Sequence, residues 1–141
     1  MSLHQLLLSL HLIFIASGVG LSFSNFINAR LSLGTSGDVA KGLALQRRWV
    51  SRIGDGVIAG IWITGAALLS ARGMEGLNSW FHAKLAFVVL LTLSHIMARR
   101  TGGKMMRSGN AVLLPRLSLY ILGVWISAMM AVVLAVLAFE S

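Results

Sequence analysis

The sequence predicts an all-α integral membrane protein, a single domain over residues 1–141 built as a four-transmembrane-helix bundle with both termini outside. Three observations carry that prediction. Of 141 residues, 57% are hydrophobic and only 11% charged, and the mean hydropathy is +0.84, values that belong to membrane chains. Four stretches reach the roughly 20 apolar residues that a helix needs to cross the hydrocarbon. The basic residues collect between alternate stretches.

The first stretch spans about residues 3–29. No basic residue precedes it, its apolar run is too long for a signal sequence, and no small-x-small cleavage motif closes it, so it is expected to stay in the mature protein. His4, His11, Gly18 and Asn25 recur every seven residues, which keeps them on one helical face with a drift of about 20° per step. That stripe is expected to face the bundle interior, with His4 near the outer surface. The following "SLGTSGDVAKG" breaks the pattern and predicts a turn before a short interfacial helix at "LALQRRWVSR".

The second stretch covers about residues 53–71. It is rich in glycine, with Gly54, Gly56, Gly60 and Gly65. Gly56 and Gly60 form a small-xxx-small pair that lets helices approach closely, and such glycines also make room for a flat cofactor. Asp55 is expected at the depth of Asn25 and of His95 in the third stretch. There it either orients an imidazole, relays protons, or pairs with Arg52.

The third stretch, about residues 80–98, lies in "WFHAKLAFVVLLTLSHIMARR". Lys84 and His95 are eleven residues apart, so they share a face and differ in depth by about 16 Å. His82 points about 160° away from Lys84 and is expected to face outward. After "RTGGKMMRSGNAVLLPR", the fourth stretch runs over about residues 117–139, with Tyr120 and Trp125 as packing or interfacial residues and not ligands.

The net charge of +8 is explained by its distribution. Arg30, Lys41, Arg47, Arg48 and Arg52 separate the first two stretches; Arg99, Arg100, Lys104, Arg107 and Arg116 separate the last two. The connection between the second and third has only Arg72, offset by Glu75. The positive-inside rule then puts both basic loops in the cytoplasm, as in a multi-pass protein of a bacterial-type inner membrane. Membrane lipid, not nucleic acid, is the partner this charge implies. Cysteine is absent, which excludes disulfides and thiolate metal sites.

Polar side chains inside hydrocarbon cost roughly 2.5 to 3.5 kcal/mol at a helix centre and mark function or pairing. Here they fall at two levels: His11 with Lys84 toward the outside, and His95 with Asp55 and Asn25 toward the cytoplasm. Histidines dispersed over different helices suit a b-type heme, and they also suit proton or ion conduction.

"HLIFIASGVGLSF", "QRRWVSRIGDGVIAGIWITGAALL" and above all "WFHAKLAFVVLLTLSHIMARR" resemble the HemJ-type protoporphyrinogen oxidases and the related CopD-like four-helix membrane proteins. After the first helix the chain departs from that pattern, having "SNFINARLSL" where the family has a proline and a second histidine. The resemblance implies heme b as cofactor, His11 as an iron ligand, an important role for Lys84, and family positions at His82 and His95. It implies a membrane oxidoreductase that oxidises protoporphyrinogen IX and passes electrons to a quinone or respiratory partner. His11, His95 and His82 are the axial candidates, Asn25 a further cofactor-binding candidate, and Lys84 and Asp55 the catalytic candidates. The alternative is a CopD-like transport or accessory protein for copper, protons or another small solute. A structural subunit of a larger complex, or a homo-oligomer docked through glycine-rich faces, is a third reading.

Overall fold

The computed structural model describes residues 2–72 and 79–140. Four helices account for nearly all of them: α1 (Leu3–Ser32), α2 (Gly37–Arg72), α3 (Ser79–Ser108) and α4 (Leu114–Glu140). All four are long and apolar enough to cross a membrane, the architecture of a multi-pass membrane protein. The connection around Glu75 lies outside the described residues.

Each helix start and stop has a local cause. Ser2 and Gln5 form a capping box at the head of α1. Gly37 opens α2 at φ 65° and Gly109 follows α3 at φ 62°, left-handed conformations that glycine adopts without steric cost. The Asn110 side chain accepts from the Val112 N–H at 3.0 Å and starts a 3-10 turn, Ala111–Leu113. Pro115 then falls in the first turn of α4, where its missing N–H has no intrahelical partner to lose.

The helices outrun their apolar stretches. α2 has 36 residues, a length of about 54 Å against roughly 30 Å of hydrocarbon. The predicted interfacial helix is therefore not separate: "LALQRRWVSR" is the first part of α2. Its Leu, Ala, Gln and Arg residues favour helix and no proline interrupts them. α3 likewise continues through Gly102 and Gly103 to Ser108. Both surplus lengths project from the same, basic end of the bundle.

Side-chain pairs fix the arrangement. His11 meets Thr64, Phe26 stacks on Trp125 with ring centroids 5.2 Å apart, and Gly123 lies against Ser94. Consecutive neighbours are therefore antiparallel. α1 packs between α2 and α4, and α4 packs on α3, whereas α2 and α3 meet at few places. The ring thus has one open seam, between α2 and α3. Near the basic end Ala29, Leu117 and Ile121 form the apolar core, with Phe26 and Met105 against it.

The distribution of surface is inside-out relative to a water-soluble bundle. Large apolar side chains such as Ile13, Ile63 and Leu119 point outward, while among the described residues seven buried side chains are polar or charged and six are apolar. Hydrocarbon gives no drive to bury leucine but a strong one to bury polar groups, so this balance fits a lipid environment.

The glycines of α2 do not act as one packing motif. A Cβ on Gly60 would lie 2.5 Å from the Phe14 ring of α1, whereas one on Gly56 meets nothing within 4 Å. The small-xxx-small reading therefore holds for Gly60 alone. Gly60→Ala is expected to lower stability by about 1–3 kcal/mol through overpacking, and Gly56→Ala to leave the unfolding temperature in detergent unchanged.

Candidate functional site

The polar levels expected from the sequence converge on the interior, and α2 is the element that organises both. At the level farther from the basic end, His11 of α1 is 8% exposed and its Nδ1 lies 2.7 Å from Thr64 Oγ1. The Thr64 hydroxyl donates its one hydrogen to the Gly60 carbonyl at 2.6 Å, so toward His11 it accepts. In the neutral imidazole the proton then sits on Nδ1, and Nε2 keeps its lone pair. Gly65 makes space for the ring: a Cβ there would lie 3.3 Å from His11 Cε1. Lys84 of α3 is partly buried.

At the basic level, His95 of α3 rests on Gly54 of α2, where a Cβ would lie 3.0 Å from its Cε1. His95 Nε2 is 2.8 Å from Asp55 Oδ1. An ionised carboxylate only accepts, so Nε2 carries the proton and Nδ1 the lone pair. The other Asp55 oxygen accepts from Arg99 Nη1. Asp55 therefore pairs with Arg99 and not with Arg52, whose guanidinium lies over the Trp49 ring at 5.4 Å. Higher on the same seam, Trp62 Nε1 donates to Thr92 Oγ1 at 3.1 Å. The sparse contact between α2 and α3 is thus bridged by polar side chains.

The two imidazoles contact α2 at Thr64 and Gly54, ten residues or about 15 Å apart along the axis. Metal–imidazole bonds are about 2 Å long, so His11 and His95 are not two ligands of one iron. His82 sits on the exposed face of α3 and its ring packs edge-on to Phe81. His4 is also exposed. His11 is therefore the one imidazole at its level in the bundle interior.

No group of three or more His, Asp or Glu side chains comes together among the described residues, so a metal held by side chains alone finds no donor set. A porphyrin brings four nitrogens of its own and asks the protein for one or two more. One buried histidine with its Nε2 lone pair free is the kind of donor that such a group takes.

Asn25 lies on the wall of a cavity of about 470 Å³ at the basic end, together with His95, and not beside His11. Its carboxamide oxygen is buried and has no hydrogen-bond partner among the described residues. Five arginines, Arg47, Arg48, Arg52, Arg99 and Arg107, share this wall. Arg47 is only 9% exposed, and its Nη1 donates to Asn28 Oδ1 at 3.0 Å and Ser32 Oγ at 2.8 Å.

Two members of these clusters escape sequence reasoning. Thr64 is the single hydroxyl in "VIAGIWITGAALL", a signal that points to a buried polar contact. Arg47 reads as one more topogenic charge, and nothing in its spacing marks it as buried.

No family model matches the chain, and no curated protein or solved structure matches it significantly.

Proposed function

We propose that the chain is a heme b-binding oxidoreductase of a bacterial-type inner membrane. It oxidises protoporphyrinogen IX and passes electrons to a quinone or respiratory partner, as the HemJ resemblance implies. In this reading the basic end faces the cytoplasm under the positive-inside rule, and both termini lie outside. The observation that carries it is the His11–Thr64–Gly60 relay, which holds a buried imidazole with its Nε2 lone pair free. An outer hydrogen bond of this kind is how proteins orient a histidine ligand and raise its basicity.

Bound heme supplies the electron-accepting chemistry. His11 would hold the iron, Thr64 would keep the imidazole in orientation, and Lys84 would pair with a propionate, since an ammonium in a low-dielectric site gains most from a carboxylate partner. His95 is placed for proton transfer: its Nδ1 accepts a proton while Asp55, on Nε2, stabilises the imidazolium.

The test is an anaerobic assay of porphyrinogen oxidation with an added quinone, run with the purified protein. Lys84→Met is expected to abolish activity or heme retention. Wild-type behaviour in both would remove Lys84 from the site, and a wild-type protein that neither binds heme nor oxidises the substrate would remove the function itself.

A further inference from the structure

We infer that the arginine-lined cavity at the basic end is a binding site for a phosphate-bearing anion, independent of the heme reading. Its volume of about 470 Å³ falls in the range of ligand pockets, and side chains from all four helices line it.

Charge that served only to set topology would be solvated. Arg47 is not, at 9% exposed, and its hydrogen-bond acceptors Asn28 and Ser32 are both neutral. A guanidinium withdrawn from water is costly unless an anion accompanies it. The chain itself has few to offer. It contains four acidic residues; Asp38 is paired with Lys41 on the surface, and Asp55 is shared by His95 and Arg99. Among the described residues no carboxylate forms an ion pair with Arg47, Arg48, Arg52 or Arg107. Arg47 is thus buried without a carboxylate partner among the described residues, and the exposed Arg48, Arg52 and Arg107 line the same concave space.

A second, independent feature of the same wall is the buried Asn25 oxygen, which has no partner among the described residues. It asks for a donor on the ligand, such as a hydroxyl beside the anionic group. The chemistry of the cations favours phosphate over carboxylate. A phosphate ester offers up to two charges and three oxygens to several guanidinium forks, whereas a carboxylate offers one charge and two oxygens. Leu117, Ile121 and Val124 add apolar wall beside the charge, which suits a phosphate carried on a larger organic body. Two sources share this monoester chemistry: the headgroup of phosphatidic acid and a soluble phosphate compound.

The experiment uses the full chain in two arms. In neutral detergent, thermal unfolding is followed while inorganic phosphate or diphosphate is titrated against sodium chloride at matched ionic strength. In vesicles, the chain is reconstituted into phosphatidylcholine with and without phosphatidic acid, and unfolding is measured again. Stabilisation in the detergent arm identifies a soluble ligand; stabilisation in the phosphatidic acid vesicles alone identifies lipid. In the responding arm, Arg48→Gln/Arg52→Gln is expected to weaken the apparent affinity at least about tenfold, as loss of two charge-assisted contacts requires. Both residues are exposed and stand outside the Arg47 hydrogen-bond network, so the fold is retained. Arg100→Gln, which is not on the cavity wall, keeps the wild-type response. No shift of the wild-type protein beyond the chloride control in either arm overturns the site, as does a double variant that responds like Arg100→Gln.

Discussion

Asp55→Ala is expected to lower the unfolding free energy by about 1–3 kcal/mol and to loosen the bundle along one seam. Removing one partner from a buried charge cluster commonly costs 3–5 kcal/mol, because the other partner is left unpaired. That figure is discounted here because the Asp55 and Arg99 side chains keep 37% and 46% of their surface open, which lets the surroundings screen them. The seam makes the loss larger than at an ordinary surface pair. α2 and α3 have little direct packing, and one carboxylate holds both His95 and Arg99 of α3 against α2. Asp55→Asn, which keeps an acceptor for one partner, is expected to lose less than Asp55→Ala. Thermal unfolding in detergent checks the order of the two, and an Asp55→Ala protein as stable as wild type would place the coupling of α2 to α3 elsewhere.

Thr64→Val is expected to reduce heme affinity about 10–100-fold, the usual cost of losing a group that orients a metal-binding histidine. The substitution keeps the branched shape and removes the acceptor on which the Nδ1 proton of His11 rests. The imidazole is then free to take the other tautomer or to rotate, and the lone pair is no longer held on Nε2. Thr64→Ser, which restores a hydroxyl, is expected to recover most of the affinity. Heme titration followed at the Soret band distinguishes this orienting role from a general loss of fold, which Thr64→Ser would not rescue.

How much of this was legible in the sequence depends on which physical rule was needed. The spacing of His11 and Asn25, and of Lys84 and His95, could be turned into faces because helical periodicity is fixed by backbone geometry. The same rule set His82 apart, and the structure places it on the exposed face of α3. The lengths of the four apolar stretches were legible because hydrocarbon thickness sets them. Where α2 begins was not, since "QRRWVSR" is as compatible with an interfacial helix as with the continuation of a spanning one.

Pairing between helices was the other hidden layer. Arg52, three residues before Asp55, was the nearer candidate along the chain, but its guanidinium lies over Trp49. Arg99 succeeds because it follows His95 by four residues, which sets both on the face of α3 that meets Asp55. The arginine cavity follows the same logic. The basic residues looked like two separate loops, and only the helical extensions of α2 and α3 bring five arginines around one space.

We propose that His11 alone, through Nε2, holds a heme at its level of the bundle. The most direct measurement is the oxidised and reduced absorption spectrum of the purified protein for wild type, His11→Ala, His82→Ala and His95→Ala, with matched folding checked by circular dichroism. Wild type is expected to show a Soret band that His11→Ala abolishes and that His82→Ala and His95→Ala leave in position. A wild-type protein without that band, or a band that survives His11→Ala unchanged, would contradict it.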